Sequence, residues 1–268
     1  MSFYERFAQL FTNTNVVRDR QLLERRIKYF IESERGGRAQ ATALIKGLSA
    51  QSHLYIFGGL IRDIGLYTAH RFRSDIDLVF AGSRNELEKA LAQYGFRLIS
   101  ENKFGGFRIG DAGIEIDVWS LEETWAFRHG LIAQKSVEGL LQTTLMSWDS
   151  VLYDIRNHKI IAEDSWLEDL HARRLDLVLE QTPNIHSALV KILRTVYGKR
   201  VLQIGSRLST FLASALGDIS DSSLIDYETQ RFDTHYLNRA RLSCLRQALD
   251  DFSGETEIQV TCALTHGQ

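Results

Sequence analysis

The chain predicts an α+β fold: a small mixed β-sheet flanked by helices, followed by an all-helical C-terminal region. Three observations carry this. Short apolar runs bounded by glycine and polar turn residues are confined to the stretch from His53 to about Asp164. Apolar residues recur at helical spacing on either side of that stretch. Beyond Asp164 no strand pattern remains. The division expected is a helical N-terminal arm over 1–45, a mixed α/β head over 46–165 and a helical neck and tail over 166–268.

In order, "VRDRQLLERRIKYFIESE" (17–34) places Leu22, Leu23, Ile27, Phe30 and Ile31 on one helical face. "GGRAQ" interrupts the pattern and "ATALIKGLSA" resumes it as a second short helix. "HLYIFGG" is an apolar run ending in glycines, which suits a buried strand and a tight turn. "IRDIGLYTAH" reads as a short helix and "DIDLVFAG" as a strand of alternating polarity. "SRNELEKALAQYG" opens on a capping Ser83, carries Glu86 three residues on and closes at Gly95, a helix with both ends marked. "FRLIS", "KFGGFRIG" and "GIEIDVWS" are strands separated by turn residues, and "SVLYDIRNHKIIAE" is a hairpin turning at "RNHK". "SWLEDLHARRLDLVLE", "IHSALVKILRTVYGKRVLQIG", "LSTFLASALGD" and "YLNRARLSCLRQALDDF" follow as helices, the first two separated by the sole proline, Pro183.

The composition of the 268 residues, 44% hydrophobic and 25% charged, is that of a globular chain with material for a core. No run of about 18 apolar residues is present, so no membrane partner is expected. "MSFYERFAQL" lacks the apolar segment of a secretion signal. Cys244 and Cys262 have no metal-ligand spacing, so a reduced, cytoplasmic setting is expected, with a structural disulfide as the second choice. A net charge of −2 gives no global basic signature for nucleic acid. Basic residues do cluster locally, at Arg18, Arg20, Arg25, Arg26, Lys28, Arg35 and Arg38, and again at Lys191, Arg194, Lys199, Arg200 and Arg207. For the first cluster a solvated helix face is the simpler account.

The chemistry concentrates in "FGGLIRDIGLYTAHRFRSDIDLVFAG" (57–82). Gly58 and Gly59 end a strand and precede a helix. Glycine lets a ligand approach the backbone closely, and the first turn of a helix offers free N–H groups and a positive dipole end to a phosphate. Asp75 and Asp77, two residues apart in a strand, project from one face and repel unless solvated or bridged by a cation. Magnesium takes a few carboxylate oxygens together with substrate phosphates and water. A further carboxylate comes from "GIEIDVWS", where Glu115 and Asp117 again share a face. An Asp-x-Asp pair alone also suits a solvated edge strand; the glycines upstream and the acidic strand downstream weigh against that.

"FGGLIRDIGL…SDIDLVF" resembles the signature of the polymerase β-type nucleotidyltransferase superfamily. It is most similar to the head of class II CCA-adding enzymes and bacterial poly(A) polymerases, with their Gly-Gly-x-x-Arg-Asp followed by Asp/Glu-x-Asp. "MSWDSVLYDIRNHKIIAE" is similar to the hairpin that ends that head, "WLEDLHARRLDLV" to the neck helix and "LVKILRTVYGKRV" to the helix after it. The resemblance spans Leu54 to about Arg207. It implies an enzyme that transfers a nucleoside monophosphate from an NTP to a hydroxyl, releasing pyrophosphate. It implies two magnesium ions on Asp75 and Asp77, with Asp117 as the third carboxylate and Glu115 as its competitor. Gly59 and Arg62 would contact the triphosphate, with Gly58 in the same turn, and Arg194 could reach the nucleotide. Asp63 would buttress Arg62. The acceptor implied is an RNA 3′ end. Transfer to a protein side chain or a small molecule is the rival reading, and a non-catalytic nucleotide-binding or assembly module, with a protein partner, is the third.

The chain departs from the family pattern in two places. Thr143, Thr144 and Leu145 stand where the family has Arg-Arg-Asp, and Ser187, Ala188 and Lys191 stand at the base-reading positions of its Glu-Asp-x-x-Arg helix. True CCA addition is therefore not expected. Elsewhere, eight scattered histidines form no zinc motif, with His129 and His158 expected on the surface. Trp119, Trp125 and Phe127 could stack on a base but suit core packing better. Arg231, Arg239, Arg241 and Arg246, with Tyr227, Phe232 and Tyr236, could meet RNA, a protein or only the helical tail.

Overall fold

The structure, a computed structural model, describes residues 16–34, 38–67, 72, 74–94, 98–102, 104–110, 114–252 and 257–260. Arg35, Gly95 and Cys262, each part of an expectation above, lie outside them. The chain packs as two units. The first holds the described residues up to Ser120 together with Leu152–Ile161; the second holds Leu121–Val151 and the described residues from Ala162 onward. The helices of the N-terminal arm thus pack with the sheet, and Leu121–Val151 group with the helical region.

In the first unit, α1 (Arg20–Glu32) starts where the Asp19 carboxylate accepts from the N–H groups of Gln21 and Leu22, at 2.7 and 3.2 Å. Leu23, Ile27 and Ile31 are buried along it, as the periodicity requires. Glu24 ties it to the head: the buried carboxylate accepts from the Ile160 N–H and from Lys159 Nζ, both at 3.1 Å. Helix α2 (Ala39–Gln51) leads to β1 (Leu54–Phe57), α3 (Gly59–Leu66), β2 (Ile76–Phe80) and α4 (Arg84–Gln93). Ser83 and Glu86 form the predicted capping box on α4, each side chain meeting the other's backbone N–H. Then come β3 (Leu98–Glu101), β4 (Phe107–Ile109) and β5 (Ile116–Ser120), and after residues of the second unit the hairpin β6 (Val151–Asp154) and β7 (Lys159–Ala162). In the hairpin's turn Asp154 accepts from the N–H groups of Arg156 and Asn157.

These strands make one seven-stranded sheet in the order β3-β4-β5-β2-β1-β6-β7. Strands β2 and β5 run parallel, whereas β1 is antiparallel to β2 and β6, and β4 to β3 and β5. One transverse row, Tyr153-Ile56-Leu78-Val118-Phe107, is buried throughout. Each such side chain contributes about 1.5–3 kcal/mol by leaving water. The adjacent row, pointing to the opposite face because side chains alternate along a strand, reads Leu152-Phe57-Asp77-Asp117-Arg108. The same pleat that fills the core on one side sets two carboxylates and an arginine abreast on the other.

The second unit is helical, as expected, with α5 (Trp125–Arg128), α6 (Val137–Leu140), α7 (Trp166–Ala172), α8 (Ile185–Gly198), α9 (Ser206–Gly217), α10 (Asp221–Arg231) and α11 (Arg239–Asp250). It also carries a small sheet that the helical pattern concealed, ordered β10-β9-β8, from β8 (Arg174–Leu175), β9 (Gln203–Ile204) and β10 (Ile258–Gln259). The helix expected through "HARRLDLVLE" stops at Ala172 because Arg173 turns left-handed, at φ 59° and ψ 33°, and donates from Nη1 to the Lys199 carbonyl at 2.7 Å. Two-residue strands leave too short an alternation to be seen in sequence. Cys244, on α11, is disulfide-bonded, so the second choice stated above describes this cysteine. Among the described residues no helix is long and apolar enough to cross a membrane.

Candidate active site

The site is assembled by strand register. Asp77 stands directly opposite Asp117 across the parallel β2–β5 pair, and Phe57 stands opposite Asp77 on β1. Because β1 and β2 are antiparallel, the Gly58–Gly59 turn leaves β1 at the end where Asp75 and Asp77 enter β2. Gly58 takes φ 58° and ψ −101°, a conformation that excludes side chains with a Cβ. It sits at the N-terminus of α3, whose first turn has no side-chain cap. The sequence thus brings the glycine turn and the carboxylates together from segments about twenty residues apart.

Beneath the turn lies Arg62. Arg62 and Asp63 are 7% and 9% exposed, and Arg62 Nε donates to Asp63 Oδ1 at 2.7 Å. Asp63 holds Arg62 in place, the buttressing expected of it. The Nη2 atom lies 3.6 Å from where a Cβ on Gly59 would be, so a fixed positive charge backs the turn.

The sequence reading missed one residue. Arg108, on β4, stands opposite Asp117 in the register and grips it with two parallel bonds, Nε to Oδ1 at 2.8 Å and Nη2 to Oδ2 at 2.6 Å. Nη2 also lies 3.4 Å from Asp75 Oδ2, and Nη1 lies 3.2 Å from Glu115 Oε2. The guanidinium pKa is raised, first by the hydrogen bond to Asp117; burial opposes this by more than any single charge adds, and the charges of Asp117, Glu115 and Asp75 raise it further. Arg108 therefore keeps its charge at every working pH. The available signal was an arginine flanked by Phe107 and Ile109, at the outward position of a strand neighbouring the acidic one.

Asp117 and Glu115 now differ in place. Asp117 faces Asp77 within the row and its side chain is 16% exposed; Glu115 precedes β5 and its side chain is 54% exposed. Asp75 accepts from Ser74 Oγ at 2.7 Å. In donor type these carboxylates are the hard oxygen ligands that magnesium takes, but the oxygens of Asp75, Glu115 and Asp117 converge here on one positive centre. That centre is the guanidinium of Arg108. Among the described residues no three acidic, histidine or cysteine side chains stand ready around an ion. Half-buried Trp119, opposite Val79, meets Phe57 edge to face at 6.0 Å, while Phe127 is core in the second unit, as packing requires.

The residues expected to complete the site from the helices belong to the second unit. Arg194 on α8 donates from Nη1 to Glu228 Oε1 at 2.6 Å and to the Thr234 carbonyl at 2.5 Å, and its guanidinium lies 3.9 Å from the Phe232 ring centre. Glu228 is fully buried and also accepts from the N–H groups of Tyr236 and Leu237. Arg194 is thus engaged in holding the 228–237 segment. At the altered base-reading positions, Ser187 donates its N–H to the helix cap Asn184, Ala188 is buried, and Lys191 Nζ lies 3.6 Å from Asp149 Oδ2. Thr143 and Thr144 donate their hydroxyls to the Leu140 and Met146 carbonyls.

This strand order, with two acidic strands abreast and a double-glycine turn opening a helix beside them, belongs to a fold that the chain shares with solved tRNA-processing enzymes. No family model and no curated protein matches the sequence. Among solved structures the chain is similar to a tRNA-processing enzyme in an apo form, at 17% identity and TM-score 0.52, over 72% of this chain and 52% of that one. It is similar as well to a tRNA nucleotidyltransferase solved with a primer tRNA and an incoming ATP analogue, at 15% identity and TM-score 0.53, over 71% of this chain and 56% of that one. The chain matches only about half the length of these enzymes.

Proposed function

We propose that the protein is a magnesium-dependent nucleotidyltransferase that adds a nucleoside monophosphate from an NTP to the 3′ hydroxyl of an RNA. The observation that carries this is the register: Asp77 opposite Asp117, with Asp75 two residues away and the Gly58–Gly59 turn at the same strand end. The RNA acceptor rests on the fold's likeness to enzymes that act on tRNA.

The acceptor oxygen attacks the α-phosphorus, the bond to the β-phosphate breaks, and pyrophosphate leaves. The chain's own part is positioning and charge. The Gly58–Gly59 turn lets the triphosphate approach the uncapped amides of α3, and the Arg62 guanidinium behind Gly59 adds positive potential without leaving its Asp63 partner. Asp117, facing Asp77 across the strand pair, draws the acceptor hydroxyl toward loss of its proton. Asp75, Asp77 and Asp117 would hold two magnesium ions, which would neutralise the triphosphate and make the hydroxyl a better nucleophile. The replacement of the family's base-reading residues by Ser187, Ala188 and Lys191 removes the basis for an ordered C-then-A addition.

The test is label transfer. Each α-labelled NTP is incubated with magnesium, the protein and, separately, total RNA, total protein and a small-molecule extract. Label on an RNA 3′ end is the expected result, absent with Asp77→Asn. Label on protein or a small molecule replaces the acceptor, and no label in any pool rejects the transferase.

A further inference from the structure

We propose that Arg108 is a tethered counter-ion that competes with the divalent cation for the acidic row, so that the cation enters only as the guanidinium lets go of Asp117. The proposal rests on the reading of that row as a metal site.

Three observations lead to it. Arg108 meets three of the carboxylates at once: Asp117 through two bonds at 2.8 and 2.6 Å, Asp75 at 3.4 Å and Glu115 at 3.2 Å. The two oxygens of Asp117 are both taken, the arrangement in which a guanidinium fork matches a carboxylate best. And Arg108 is fixed by its own backbone in the register row of Asp77 and Asp117, not borne on a loop. A carboxylate bound through both oxygens to a guanidinium keeps only its outward lone pairs for a cation, and a dication brought beside that guanidinium is repelled by it. The arginine and the cation therefore draw on the same electrons of Asp117 and Asp75. The side chain has room to yield, being 38% exposed. A row of carboxylates left bare would repel itself; Arg108 keeps the strands paired when no cation is bound.

The test reads metal binding itself, without nucleotide or turnover. Mn²⁺ is titrated into the full chain and followed by electron paramagnetic resonance, for the natural protein, Arg108→Met and Arg108→Lys, with thermal melts in EDTA and in Mn²⁺. Arg108→Met is expected to bind Mn²⁺ at least tenfold more tightly, with Arg108→Lys between the two, because a lysine offers one bond where the fork offers two. Arg108→Met should melt lower than the natural protein in EDTA and recover in Mn²⁺, a rescue that a merely structural arginine would not show. If Arg108→Met does not fold, Arg108→Lys carries the comparison, and an affinity equal to or weaker than the natural protein's overturns the proposal. Equal binding by all three proteins sinks the role of Arg108 and leaves the metal site standing. No binding by any of them sinks both.

Discussion

Asp77 and Asp117 face each other across two parallel strands in the middle of a seven-stranded sheet, with no residue between them in the ladder. Like charges set opposite each other weaken a sheet, so this placement costs stability that function has to justify. Asp77→Asn is expected to lower label transfer about a hundredfold or more, the scale of losing charge stabilisation in a transition state. Asp117→Asn should lose activity similarly but also lose about 1 kcal/mol of stability, the worth of a partly exposed ion pair, because Arg108 is left without its principal partner. Parallel activity and urea-melt measurements separate the two. An unchanged rate in Asp77→Asn would remove the acidic row from the chemistry.

The two glycines of the turn are expected to fail in different ways. Gly58 holds φ 58° and ψ −101°, so Gly58→Ala should destabilise the protein by about 1–3 kcal/mol through backbone strain alone. A Cβ on Gly59 meets only Arg62 Nη2, at an ordinary 3.6 Å, and Gly59 is already helical. Gly59→Ala should therefore fold as stably as the natural protein and weaken NTP binding, because the methyl group stands where the triphosphate would approach. Urea melts paired with NTP titration give the comparison. Full NTP affinity in Gly59→Ala would place the triphosphate elsewhere.

Asp63→Asn leaves a buried guanidinium without its neighbouring charge. Breaking a buried pair from one side costs about 3–5 kcal/mol, and with both residues under a tenth exposed the lower end of that range is expected here. The KM for NTP should rise more than kcat falls, since Arg62 acts on the bound triphosphate. A change in kcat alone would mean that Asp63 serves the reaction directly.

Much of the head was legible because its signals are local. Ser83 and Glu86 cap a helix within four residues, and the alternation of "DIDLVF" fixes which face Asp77 takes. Partnership across strands was harder. That Asp117, not Glu115, lies opposite Asp77 follows from β2–β5 register, which no local pattern specifies. Arg108 escaped for the same reason: one arginine in a three-residue strand acquires meaning only when β4 is laid beside β5. In the second unit the strands of the small sheet are two residues long, too short for a period to register.

The capping box on α4 gives a pH dependence whose sign can be worked out. The Glu86 carboxyl titrates below its ordinary value, chiefly because its charged form accepts from the Ser83 N–H and then from the Ser83 hydroxyl. A carboxyl with a lowered folded pKa contributes stability above its unfolded pKa and loses it as pH falls through the folded one. The stability difference between the natural protein and Glu86→Ala should thus be constant at neutral pH and shrink below about pH 4.5. Urea melts at pH 7, 5 and 3.5 measure it. A difference that grows in acid would show that Glu86 acts otherwise than as a charged cap.

Arg194 illustrates how a residue can serve structure and still look functional in an activity assay. Its guanidinium satisfies Glu228, which is 0% exposed and also receives the Tyr236 and Leu237 N–H groups. Arg194→Ala would leave that carboxylate buried with its countercharge gone, at a cost of about 3–5 kcal/mol. Activity measured on this variant alone would fall whether or not the arginine touches nucleotide. Arg194→Ala combined with Glu228→Gln removes both charges and keeps an amide that can accept the two backbone N–H groups, so most of the lost stability should return. If transfer returns with it, Arg194 is a strut of the 228–237 segment; if stability returns and the KM for NTP stays high, Arg194 contacts the nucleotide.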